Sequence, residues 1–320
     1  MSIPLHLAVY GGLIPAAVAA LVFYLGALAT RRVAWSGAPW AGVAIAVGFV
    51  AASRLLGEAA PPWIPRTSRD WLPALVAAGA LVGVLLARFD RVWLAWLSLA
   101  GVAALAGWTL VPSYAAIAPR QTAWRVGLAI AVFTLCVLCR RAARAAAWSQ
   151  ALVLALSFVA GALLIERSGG LSLAQLAGAG CATTAAVAVC GGLLGVGVLP
   201  PAAAPVSALL LVGLCAQGYF EGFGVGIVSF ALVAAAPAAH AAVGAWHAKL
   251  TPRSLFALRL GAAILLLAAG VLSAYLPQQR PNRRQAAAGS AEVLPAASGA
   301  KTPRRTATNL GAEEGLRQFS

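Results

Sequence analysis

This sequence predicts an all-α, polytopic transmembrane helical bundle of about ten spans, followed by a disordered C-terminal tail. Three observations carry that expectation. Of the 320 residues, 62% are hydrophobic and only 10% are charged, whereas a soluble domain carries about 25% charged residues. Mean hydropathy is +0.88. Apolar runs of about 20 residues recur along the chain, and as helices they are long enough to cross a hydrocarbon core of about 30 Å. A chain with so little polar surface cannot face water on all sides. The composition therefore argues against a soluble enzyme, a nucleic-acid-binding domain and a disulfide scaffold.

The first span is expected over Leu5 to Thr30, closed by Arg31 and Arg32. Ala27-Leu28-Ala29 has the small-x-small form of a signal cleavage site, but the apolar run is too long and a basic leader is missing, so an uncleaved span is expected. The second span covers Trp40 to Leu56, and a polar, proline-rich loop follows to Asp70. The third runs from Trp71 to Arg88, and Phe89-Asp90-Arg91 makes a short turn into the fourth, Val92 to Val111, which Pro112 ends. The fifth covers Ala123 to Cys139. Arg140, Arg141 and Arg144 separate it from the sixth, Ala147 to Ile165, with a loop from Glu166 to Gly170.

The seventh span is expected over Leu173 to Leu199, broken by Pro200 and Pro201, because proline removes a backbone donor and clashes with the preceding turn. The eighth covers Ala203 to Phe220. The Gly-rich turn Gly222-Phe223-Gly224-Val225-Gly226 leads into the ninth, which reaches Trp246 and is followed by Lys249 and Arg253. The tenth covers Leu255 to Leu276. Helices are the expected spanning element because hydrocarbon offers no partner for open backbone groups. Residues 1–277 thus form a helical domain. Residues 278–320 carry Pro, Ala, Ser, Thr and seven basic residues with almost no aromatic content, too little apolar surface to offset chain entropy, and they read as a disordered basic tail.

The formal net charge is +15. In a soluble protein such basicity would suggest nucleic acid; here Lys and Arg flank apolar runs, so the expected partners are the bilayer and its anionic headgroups, with no nucleic acid. Ten basic residues fall in or beside odd-numbered loops and six in or beside even-numbered ones, while the seven in the tail pull the opposite way. Orientation stays open on that count. Most of the ten tryptophans fall near span ends, where an apolar ring with a wet N–H is stable. Gly79 and Gly83, and Gly191 and Gly195, form GxxxG pairs suited to close helix packing.

Polar groups inside spans are costly and are the natural site candidates. Gln150 and Ser157 lie seven apart on the sixth span, hence on one face, while Glu166 and Arg167 sit at its end. Thr183 and Thr184 have hydroxyls that bond readily to a preceding carbonyl. On the ninth span Ser229, His240 and His247 fall within about 20° of one face, at about 100° per residue. Pro237 lies one turn before His240, and Gln217 and Glu221 end the eighth span beside the Gly-rich turn. The substrate-pathway candidates are therefore Ser229, His240, His247, Gln217, Glu221 and Gln150.

No catalytic residue, metal or cofactor is expected. His240 and His247 are about 10.5 Å apart along a helix axis, too far to share an ion. Cys136 and Cys139 form a lone CxxC without the further ligands that zinc needs. Cys181, Cys190 and Cys215 read as small apolar fillers. The expected function is a small-solute permease of the inner or plasma membrane; the alternative is a non-transporting scaffold, assembly factor or complex subunit with membrane-protein partners. A water-accessible cavity lined by His240, Ser229 and Gln217 would favour the first; a solid interior would favour the second.

Overall fold

The structure is a computed structural model, and it describes residues 8–30, 39–56, 65, 67–89, 91–114, 117–246 and 251–275, with the backbone alone for 244–246. Ten α-helices make up nearly all of the described residues, and no strand occurs among them. They are α1 (Ile14–Thr30, preceded by a π-helical turn Val9–Leu13), α2 (Pro39–Leu55), α3 (Leu72–Arg88), α4 (Val92–Leu110) and α5 (Gln121–Ala145). Then follow α6 (Ala147–Arg167), α7 (Leu171–Leu193), α8 (Ala204–Glu221), α9 (Ile227–Trp246) and α10 (Pro252–Tyr275). Eight of these, with their short 3-10 extensions, are long and apolar enough to cross a membrane; α2 and the Ile227–Val243 stretch of α9 are shorter apolar helices. The chain is thus an all-helical integral membrane protein. The expected tail lies outside the described residues, as do Arg31, Arg32 and Lys249.

Several boundaries differ from the sequence reading. The fifth helix does not stop at Cys139: Arg140, Arg141 and Arg144 are its last turns, and the single residue Ala146, at φ −157°, turns the chain into α6. Glu166 and Arg167 likewise belong to α6 rather than to a loop. In both places charge marks where water begins, while backbone hydrogen bonding carries the helix further.

The seventh helix ends at Leu193, six residues before the expected Leu199. A glycine ends it, not a proline. Gly195 sits at φ +68°, the Val196 N–H donates to Gly191 O at 3.1 Å and the Gly195 N–H to Gly192 O at 3.3 Å. This is a Schellman close, which needs the left-handed residue that glycine supplies without a Cβ penalty. Gly195 is therefore off the helix, and Gly191 and Gly195 do not form a packing face.

Helix α8 is the centre of the bundle. Of its apolar window 83% is buried, against 17% for α10. Its approach segment is also interior: Leu199, Ala202 and Ala203 are buried, and the 3-10 turn Pro201–Ala203 packs on α2, α3 and α5. Two helices come close enough because they present glycine. A methyl group on Gly83 of α3 would overlap Ala202 O, and one on Gly42 of α2 would stand 2.9 Å from the same oxygen. Gly79 packs on Leu209 and Val206 of α8. The Gly79/Gly83 pair thus seats α8 and its approach, as small residues do where lipid gives helices no hydrophobic reason to associate.

The tryptophans divide. Trp93, Trp108 and Trp148 are exposed on the outer surface. Trp40, in contrast, lies against Gly26 of α1, and Trp124 stacks on Tyr219 and Phe220 of α8, with ring centroids 5.5 and 5.6 Å away. Those two act as packing elements between helices.

Gly→Ala normally stabilises an exposed helix by up to about 1 kcal/mol. At Gly83 the sign reverses, and Gly83→Ala lowers stability by about 1–3 kcal/mol through overpacking. At Gly101, where a methyl group meets nothing within 4 Å, Ala is neutral or stabilising. Thermal unfolding of the purified full chain in detergent measures both.

Candidate functional site

The polar groups gather in three places, each tied between helices. The first lies where α5, α6 and α9 meet. Ala146 closes α5 and starts α6, which puts Ser149 and Gln150 in the first turn of α6. His240 of α9 is fully buried, and its Nε2 lies 2.8 Å from Ser149 Oγ. Ser149 carries one proton and donates it to Ala146 O at 3.1 Å. With the Ser149 proton on Ala146 O, the Nε2–H tautomer of His240 is the donor that completes the pair, and the buried Nδ1 has no partner. Beside it the buried Gln150 donates through Nε2 to Cys139 Sγ at 3.1 Å, and its Oε1 is unpartnered.

A serine within hydrogen-bond reach of a histidine is one requirement of nucleophilic activation. This pair lacks the others. The serine proton points to a backbone carbonyl, and both side chains are closed off from solvent. Ser149–His240 is a helix-to-helix hydrogen bond.

The second place is the end of the α9–α10 contact, where the first turn of α9 meets the last turn of α10. Ser273 donates to Gly270 O at 2.8 Å, so Ser229 donates to Ser273 across a 2.7 Å gap. Gly270 permits this approach, since a methyl group there would stand 3.0 Å from Ser229 O. Ser229 and His240 share a face of α9, as the spacing implies, but different helices cover it: α10 at Ser229 and α6 at His240. The structure does not bring the two side chains together. Helix α9 continues through Pro237. His247 lies outside the described residues.

The third place is the other end of the bundle. Gln217, fully buried on α8, donates to Leu110 O at the end of α4 at 3.1 Å. Its Oε1 accepts from Ser68 Oγ, just before α3, at 3.0 Å. Tyr114 donates to Phe220 O at 3.0 Å, and the Phe223 N–H of the Gly-rich turn donates to Ser168 O at 2.9 Å. Arg69 donates to Ser172 Oγ at 2.9 Å. Glu221, the exposed last residue of α8, shares with Arg69 and Ser172 an open cavity of about 520 Å³. Glu221 lines that cavity, and an apolar groove of about 260 Å³ opens between α5, α8 and α9.

Some other polar residues are satisfied within their own helix, while the buried hydroxyls of Thr184 and Ser207 have no partner. Ser157 donates to Val153 O and Thr183 to Ala179 O, the back-bonding expected of hydroxyls in apolar surroundings. Cys136 and Cys139 are buried and free. Among the described residues, no three His, Cys, Asp or Glu side chains are placed to hold a metal ion.

The sequence reading missed Ser68, Ser149 and Ser273. Each is the partner of a candidate from a different helix. Helical spacing relates residues on one helix only, so no signal in the sequence pairs them.

Ser149→Ala leaves the buried His240 N–H without an acceptor, and Gln217→Leu frees both Leu110 O and the Ser68 hydroxyl. Each change lowers stability by about 1–2 kcal/mol, the upper range for interhelical hydrogen bonds in membranes. Ser157→Ala, which removes only a bond within one helix, costs less than either. Denaturant unfolding of the reconstituted chain ranks the three.

Comparison with protein-family models finds no match, and neither a curated protein nor a solved structure matches the chain.

Proposed function

We propose that this chain is a non-transporting membrane scaffold, acting as an assembly factor or complex subunit, rather than a small-solute permease. The carrying observation is the state of the interior polar groups. Gln217, Ser229 and His240 are each bonded to another helix, and none of them lines the cavity at Glu221 or the apolar groove between α5, α8 and α9. A conduit needs polar side chains turned toward water, whereas these hold neighbouring helices in register. The competing permease reading draws on the cavity at Glu221 and Arg69, which opens at one end of the bundle.

In this reading all ten helices cross the bilayer. Helix α2 has only 17 residues, about 25 Å at 1.5 Å per residue. Ten of those residues are buried, so its length is matched to its protein neighbours more than to lipid. The protein resides in an inner or plasma membrane, with other membrane proteins as partners and anionic headgroups facing its basic ends.

Water access separates the two readings. Ser229→Cys and Ser157→Cys are made in the full chain, reconstituted in vesicles and treated with a charged, membrane-impermeant thiol reagent from each side. Peptide mapping by mass spectrometry reports each cysteine separately. The scaffold reading expects no modification at either position until detergent denatures the bundle. Modification of Cys at position 157 from either side of the intact vesicle, or of Cys at position 229 from the side remote from the Gly-rich turn, overturns it in favour of a conduit.

A further inference from the structure

The opposite end from Glu221 carries a feature that neither function uses. The turn between α3 and α4 and the last turns of α5 enclose a cavity of about 380 Å³, with Arg91, Arg140, Arg141 and Arg144 in its lining and Trp96 and Leu99 among its apolar walls. No lining residue is acidic. Asp90 follows the lining residue Phe89 and lies outside the described residues; a full neutralisation by it still leaves three positive charges. Arg140 and Arg144 stand one helical turn apart, a spacing at which like charges destabilise a helix. Arg140 is half-buried, and its Nε is buried without a hydrogen-bond partner.

Arginines at a helix C-terminus do offset the helix dipole. That accounts for the sign of the charge, but not for four arginines lining one cavity beside Trp96 and Leu99. The lining is amphipathic in the order a phospholipid requires: guanidinium groups at the polar end of α5, then Trp96 and Leu99 one to two turns into α4. Guanidinium is also the side chain best matched to phosphate oxygens.

From this geometry we infer a specific binding site for one anionic phospholipid, with its phosphate held by Arg140 and Arg144 and an acyl chain laid along Trp96 and Leu99. The lipid joins the α3–α4 turn to the end of α5. The inference is independent of whether the bundle is a scaffold or a conduit.

The test is native mass spectrometry of the full chain in a neutral detergent, with phosphatidylglycerol, phosphatidylcholine and inorganic phosphate as probes. One phosphatidylglycerol per chain is expected to be retained over phosphatidylcholine. Arg140→Gln with Arg144→Gln is expected to reduce that retention roughly 10- to 30-fold, at about a factor of five per arginine near a headgroup. Arg54→Gln with Arg120→Gln removes equal charge at the other end and is expected to leave retention unchanged. Should the first double variant not fold, the wild-type chain still decides: phosphatidylglycerol with brominated acyl chains quenches a fluorescence component that Trp96→Phe removes, and brominated phosphatidylcholine does not. Equal retention of the two lipids, equal loss in both double variants, quenching by both lipids alike, or displacement of the lipid by millimolar inorganic phosphate overturns the inference.

Discussion

Inside a bilayer a polar group has no water to fall back on, so most must find a partner within the protein. Much of this structure follows from that constraint. Helices satisfy their own backbones, and the hydroxyls of Ser157 and Thr183 return to their own helices. The few side chains that cannot do so become ties between helices: Gln217 to Leu110 and Ser68, His240 to Ser149, Ser229 to Ser273. The irregular stretch before α8 obeys the same rule. From Val198 to Ala203 its residues are mostly buried, and the turn Pro201–Ala203 lies between α2, α3 and α5.

Close packing is the second half of the same constraint. Apolar side chains gain little by leaving lipid for protein, so helices associate where their backbones approach. Gly42 and Gly83 meet Ala202 O, and Gly107 of α4 meets Arg125 O of α5. In each case a glycine faces a carbonyl oxygen. Specificity then comes from shape and from a small number of hydrogen bonds, not from a gradient of hydrophobicity.

The positions of the helices were legible in the sequence because apolar runs and span lengths are one-dimensional. All ten expected segments hold a helix. Their ends were less legible. Polarity reports the edge of the hydrocarbon, but hydrogen bonding takes α5 past Arg140 to Ala145 and α6 past Glu166 to Arg167. The close of α7 was hidden by Pro200 and Pro201, which look like the stronger breakers, while Gly195 had already reversed the backbone. The polar constellation was legible only by half. Spacing placed Ser229 and His240 on one face of α9, yet it could not reveal that α10 covers one and α6 the other.

The central burial of α8 bears on how the protein is made. Chains emerge from the ribosome N-terminus first. Helices α1 to α7 are therefore in place before the element that most of them pack around. Until Glu221 has been synthesised, Gly42, Gly79 and Gly83 face an empty groove, and Leu110 O awaits the amide of Gln217. In the finished bundle α7 packs back on α1 and α2, so the helices that precede α8 surround the place it fills. Assembly of the bundle is thus a late event, triggered by arrival of one helix, and α9 and α10 come after it to cover α6.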